Sequence, residues 1–130
     1  MIKYNIAPEV EALAEAVIDA AFKVHKTLGP GLLESVYQTC LSYELSMRKI
    51  AHQNQVILPG RYGGIEIESG LRLDVLIDEK IILELKSVER MIPLYEAQLL
   101  TYLKLTGLKL GFLINFNVPL FKDGIKRMVL

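Results

Sequence analysis

The chain has 130 residues and a mass of 14.7 kDa, enough polypeptide for one domain with its own core. Hydrophobic residues make up 52% and mean hydropathy is +0.32, which excludes a disordered chain and leaves apolar surface for a second subunit to cover. Lys plus Arg number 15 and Asp plus Glu number 15, so bulk charge points to no partner.

Met1 to Asn5 run into Glu9, Glu11, Glu15 and Asp19, a charge pattern unlike that of a secretory signal peptide. Apolar residues at Val10, Leu13, Val17, Ala20, Ala21, Val24 and Leu28 keep the helical period and predict a first helix over 9–28. Gly29-Pro30-Gly31 stops it. Leu33, Val36, Tyr37, Cys40, Leu41 and Leu45 predict a second helix that runs to about Arg48. The period then changes. Gln55 to Leu58 predicts a short strand ended by Pro59-Gly60, and Ile65 to Ile67 a short edge segment after the Gly63-Gly64 turn. Leu71 to Ile77 and Ile81 to Val88 predict a hairpin about the tight turn Asp78-Glu79-Lys80. Pro93 opens a third helix that carries Ala97, Leu99, Leu100, Tyr102 and Leu103, and Gly107 closes it. Leu110 to Ile114 predicts a buried strand and Ile125 to Leu130 a final edge strand. The order is ααβββαββ: an α/β (α+β) fold with a mixed central β-sheet flanked by helices.

No apolar run approaches the ~18 residues of a membrane helix. One cysteine, Cys40, excludes a disulfide framework and any Cys-based zinc site, and reads as a small core residue. The expectation is a soluble cytoplasmic protein with no membrane partner. No Gly-Lys-Ser phosphate loop and no Gly-x-Ser-x-Gly elbow is present, which disfavours nucleotide hydrolysis and serine-esterase chemistry.

Charge interrupts the most apolar strand. Glu84 and Lys86 lie two apart and share a face with Ile82, while Leu83 and Leu85 point to the other. Asp74 falls mid-strand in the hairpin partner, between Leu73 and Val75. Burying an ionised carboxylate without a partner costs several kcal/mol, roughly, or forces protonation. Two readings meet that cost. In one, Lys86 neutralises a carboxylate in an internal ion cluster. In the other, Asp74, Glu84 and the backbone carbonyl of Leu85 hold a divalent cation, Mg²⁺ or Mn²⁺, and Lys86 holds the attacking water or stabilises charge growing on a phosphate.

Asp74 followed by Glu84-Leu85-Lys86 on adjacent strands resembles the D…ExK signature of the PD-(D/E)XK nuclease superfamily. Gly31-Leu32-Leu33-Glu34-Ser35-Val36-Tyr37 is similar to the motif that names the GxxExxY protein family, a branch of that superfamily. Leu28-Gly29-Pro30, Glu44-Leu45, Ala97 to Leu103 and Leu113-Ile114-Asn115-Phe116 extend the resemblance over nearly the whole chain. It implies a single nuclease-like domain over residues 1–130 and a metal-dependent nuclease acting on nucleic acid, DNA before RNA.

The resemblance also implies roles for residues beyond the hairpin. Glu34 would complete the acidic site, although a Glu three positions after an N-cap at Gly31 can equally cap its helix. Tyr37, one turn on, either packs in the core or reaches Glu34 or a phosphate. Gln98 and Tyr102 share a helix face; they are similar to the QxxxY element of RecB-like nucleases, where the pair faces the metal site and DNA, and exposed polarity with core packing accounts for them equally. His25 either meets the end of its helix or acts as a further metal ligand. Glu9, Glu11, Glu15, Asp19, Glu34 and Glu44 make the first third acidic. Lys104, Lys109, Lys122, Lys126 and Arg127 outnumber Asp123 after Ala97, which fits either a local basic edge or an ordinary solvated face. A homodimer would double the surface for DNA. The rival is a non-catalytic nucleic-acid- or protein-binding module on the same fold, including an oligomeric accessory subunit.

Overall fold

The computed structural model describes residues 5–130; Met1 to Tyr4, the start of the stretch read as unlike a signal peptide, lie outside it. Helix α1 spans Pro8–Leu28 and α2 spans Glu34–Met47. Strands β1 (His52–Tyr62), β2 (Ile65–Ile77) and β3 (Ile81–Lys86) follow, then α3 (Pro93–Thr106), β4 (Leu110–Asn115) and β5 (Ile125–Val129), the last two joined through a short 3₁₀ turn at Phe121–Asp123. The ααβββαββ order and the helix-flanked mixed sheet are those the sequence predicts.

Five strands lie in the order β1-β2-β3-β4-β5. All neighbours are antiparallel except β3 and β4, which run parallel because α3 carries the chain back between them. The periodic apolar stripes bury on opposite faces. Ala14, Val17, Ala20, Ala21 and Val24 of α1, with Tyr37, Leu41 and Leu45 of α2, pack on Val75, Ile81, Leu83, Leu85 and Ile114. Leu99 and Leu103 of α3 pack on the other face, against Leu73, Leu76, Ile82 and Leu113. Gly111 lets α3 approach closely: a Cβ there would stand 3.0 Å from Leu99 Cδ1 and 3.1 Å from the Ile82 carbonyl oxygen.

Several predicted boundaries shift: β1 starts at His52 rather than Gln55, and β3 ends at Lys86 rather than Val88. Pro59-Gly60 does not end β1; the strand continues to Tyr62 through a register shift between Leu58 and Gly60. A proline is tolerated there because β1 is an edge strand, whose outward N–H has no ladder partner to lose. Ile65 to Ile67 and Leu71 to Ile77 accordingly form one strand. The tight turn is as expected, with Asp78 (φ 47°) and Glu79 (φ 56°) both left-handed, matching the twist of the flanking strands. Helix α2 begins later than predicted: Leu33 is the N-cap and Glu34 the first helical residue, so Glu34 is not placed to close a capping box.

Tyr37 explains how the chain turns from α1 into α2. Its ring is fully buried and stacks on Phe116, centroids 4.5 Å apart. Its hydroxyl donates to the Gly29 carbonyl (2.6 Å) and accepts from the Leu32 N–H (3.1 Å). Tyr37 therefore fixes the corner that delivers Glu34 to the end of the sheet. Tyr37→Phe keeps the ring and removes both bonds. It should lower unfolding free energy by about 1–3 kcal/mol, read from urea denaturation midpoints at unchanged slope.

Candidate active site

The β2–β3 ladder stops just where the charged residues begin. Pairing covers Val75↔Leu83, Leu76↔Ile82 and Ile77↔Ile81. Beyond it β2 stays paired with β1 while β3 stays paired with β4, and the two strands part. Two carboxylates take over the lost backbone bonds. The Asp74 N–H donates to Glu84 Oε2 (3.0 Å), and the Leu85 N–H donates to Asp74 Oδ2 (2.8 Å). Each acid thus fixes the other's strand. The second oxygens, Asp74 Oδ1 and Glu84 Oε1, receive no hydrogen bond from the described residues.

A cavity of about 300 Å³ opens over this fork, lined by Glu34, Gln55, Arg72, Asp74, Glu84, Lys86, Gln98 and Tyr102. Six residues singled out from sequence therefore share one wall-to-wall site. Asp74, Glu84 and Lys86 come from the parting strands, Glu34 from the first turn of α2, and Gln98 and Tyr102 from one face of α3. Leu85 lines an adjoining cavity of about 280 Å³ with Glu34, Gln38, Gln55, Arg72 and Asp74. The cavity between α1 and α2, about 370 Å³, is almost wholly apolar and holds none of these groups.

Glu84 is 4% exposed. Burial pushes its carboxyl up from 4.5 to about 8, and the negative charge of Asp74 adds to the effect; the Asp74 N–H bond and Lys86 oppose it. Burial, with the charge of Glu84 second, also raises the Tyr102 phenol. Lys86 does not quench this negative charge directly. It forms no ion pair with a carboxylate among the described residues, and its ammonium stands 4.3 Å over the ring of Tyr95. The internal ion cluster is thus not built as a contact pair.

Two oxygens without donors, on facing acids that repel one another once both are ionised, suit a small divalent cation. No group of three or more His, Cys, Asp or Glu side chains forms a metal cage among the described residues. The donors present at the fork are two carboxylates; an ion such as Mg²⁺ takes one or two carboxylates and keeps water and phosphate oxygens for the rest.

Two expected participants are elsewhere. Tyr37 spends its hydroxyl on the Gly29–Leu32 corner and does not line the cavity. His25 is buried in the α1 layer, where its Nε2 donates to the Val118 carbonyl (2.7 Å) beside Phe121. With that nitrogen engaged and the ring across the sheet, it is no ligand to the Asp74–Glu84 fork. The basic edge is also weaker than its composition suggests: Lys126 pairs with Glu96 (3.0 Å) and Arg127 with Glu11 (2.8 Å). The Arg127 hydrogen bonds hold the Glu11 carboxyl below its ordinary value.

Arg72 and Gln55 line the cavity and Tyr95 lies beneath the Lys86 ammonium; the sequence reading singles out none of the three. Arg72 was accessible to it: Arg72 and Asp74 are two apart in a strand that otherwise reads Leu71, Leu73, Val75, so they break its apolar pattern together. Asn115 supports the site from behind. Buried at 2% exposure, it receives the Val88 N–H on Oδ1 (3.1 Å) and donates to the Val88 carbonyl (3.0 Å), which fixes the chain leaving β3 after Lys86.

No helix among the described residues is long and apolar enough to cross a membrane. Searches of curated proteins and of solved structures give no significant match. The sequence profile of the PD-(D/E)XK nuclease superfamily, by contrast, matches residues 11–128, and that span contains every cavity residue described above. The helix-flanked mixed sheet is consistent with the fold of that superfamily, and this protein belongs to it.

Proposed function

We propose that this protein is a divalent-metal-dependent nuclease that hydrolyses phosphodiester bonds in nucleic acid, with DNA as its substrate. The observation that supports this reading is the convergence of Asp74, Glu84 and Lys86 with Glu34, Gln98 and Tyr102 on one cavity. Mg²⁺ or Mn²⁺, when bound, supplies Lewis-acid polarisation of a phosphoryl oxygen and acidifies bound water. Asp74 and Glu84 hold the ion through their donor-free oxygens, aided by the Leu85 carbonyl, and Glu34 adds a third carboxylate. Lys86 orients the water and offsets negative charge growing on the phosphate. Gln98 and Tyr102 position the strand from α3. The Tyr102 phenol keeps its proton at neutral pH and serves as a hydrogen-bond donor.

Gly31 to Tyr37 supports placing the chain in the GxxExxY group, and Gln98 with Tyr102 supports the RecB-like branch. We read the chain as one domain and place it in the cytoplasm, where a lone Cys40 stays reduced. Exposed Ile57, Tyr62, Ile65 and Ile67 on the β1–β2 hairpin support a homodimer. The test is incubation of plasmid and single-stranded DNA with Mn²⁺ or Mg²⁺, alongside calorimetric titration of either ion. Metal-dependent cleavage with measurable ion binding is expected. Ion binding that never leads to cleavage, across DNA and RNA, would leave a binding module instead.

A further inference from the structure

One cation in the cavity is held in place without being neutralised. Arg72 Nε donates to Gln55 Oε1 (2.7 Å), and Gln55 Nε2 donates to Gln38 Oε1 (2.6 Å). This relay runs from β2 across β1 to α2, where Gln38 lies one turn after Glu34. Its middle member is unusual. Gln55 has φ 52°, a left-handed conformation at a non-glycine residue in mid-strand. Its neighbours Asn54 and Val56 pair with Val75 and Leu73, so the distortion falls opposite Asp74. There it turns the Gln55 side chain into the same cavity as Asp74 and Arg72.

The tether uses only the inner nitrogen of the guanidinium. No carboxylate among the described residues pairs with Arg72, although Asp74 and Glu84 line the same cavity. An amide at position 55 orients the guanidinium and leaves its charge intact, whereas a carboxylate there would cancel it. The two terminal nitrogens make no hydrogen bond or ion pair among the described residues, and Arg72 lines the cavity, so a planar fork of the shape that grips two oxygens of a phosphate is left unspent.

We propose that Arg72 is a phosphate-binding residue of this site, gripping a backbone phosphate of the nucleic-acid strand, and that Gln55 and Gln38 are positioning residues that aim it. The assignment rests on the phosphodiester reading of the cavity, so binding is measured apart from cleavage. Fluorescence titration of a labelled DNA oligonucleotide in EDTA, over a series of salt concentrations, is the experiment. Arg72→Gln should weaken binding about tenfold and lower the salt slope by about one. Arg72→Lys should keep the slope and recover only part of the affinity. Gln55→Glu separates this role from a structural staple: it keeps the acceptor for Arg72 Nε and neutralises the guanidinium, while losing the bond donated to Gln38. Phosphate binding predicts weaker DNA binding by Gln55→Glu in protein that stays folded at the assay temperature by circular dichroism; a staple predicts unchanged binding. If Arg72→Gln and Gln55→Glu both bind with the parent's affinity and slope, the assignment is overturned, whether or not the parent cuts DNA. If binding depends on Arg72 but the parent cuts nothing, the assignment stands and the nuclease reading falls.

Discussion

Lys86→Met should lose strand cleavage by about 10²–10⁴-fold and leave the divalent-cation isotherm unchanged, whereas Glu84→Gln should lose both. The separation follows from where each group stands. Glu84 faces Asp74 across the strand fork and keeps a donor-free oxygen, so its loss removes half of the paired carboxylate donors. Lys86 shares the Glu84 face of β3 but pairs with no carboxylate among the described residues. Its ammonium rests on Tyr95, within the cavity and still carrying a full charge to place beside a phosphate. Methionine fills the same volume and keeps contact with the ring, so a folding defect is not expected. Initial cleavage rates in saturating Mn²⁺ and Mn²⁺ calorimetry on the same preparations decide the matter. A Lys86→Met protein that cuts within tenfold of the parent would falsify the role given to the amine.

The second large effect concerns stability without metal. Native Glu84 holds its proton to about pH 8, while the unfolded chain releases it near 4.5. Between those values unfolding releases a proton, so rising pH favours the unfolded state. The loss accrues from about pH 4.5, is complete near pH 8, and amounts to at most about 5 kcal/mol. The charges acting on Glu84 are those of Asp74, Lys86 and Glu34, with Arg72 and Tyr102 on the same cavity. Glu84→Gln removes the titrating group and can still accept the Asp74 N–H. Its melting temperature should therefore exceed the parent's at pH 8, and the difference should shrink toward pH 5. Saturating Mg²⁺ or Mn²⁺ should stabilise the parent more at pH 8 than at pH 5, because the ion relieves the repulsion only once the acid ionises. Parallel pH profiles of parent and Glu84→Gln, each without metal, would remove the basis for this argument.

How much of this is legible in the sequence depends on whether a residue acts through local pattern or through distant geometry. Helices α1 and α3 are legible because the three-and-four spacing of Val10 to Leu28, and Pro93 with Gly107, are local facts of the backbone. The placement of Asp74, Glu84 and Lys86 is legible because alternation fixes which side chains share a face. Glu34, Gln98 and Tyr102 reach the cavity along helices whose position spacing alone does not give; the family resemblance supplies it. Tyr37 and His25 were ambiguous because a polar atom on an aromatic ring serves a corner or a site equally well, and only the neighbours Gly29 and Val118 decide. Gln55 was out of reach for a different reason. Its left-handed backbone breaks the two-residue alternation from which its orientation would be inferred.

The sheet's order has a further consequence. Its five strands stand side by side in the order in which they are synthesised. Each strand therefore finds its partner already next to it, across a turn or one helix, and the entropy lost in closing each loop is small. Low contact order of this kind favours rapid collapse, so refolding from urea should outpace that of all-β domains of equal length. Helix α1 is the counterweight, since His25–Val118 and Glu11–Arg127 tie it to the far end of the chain.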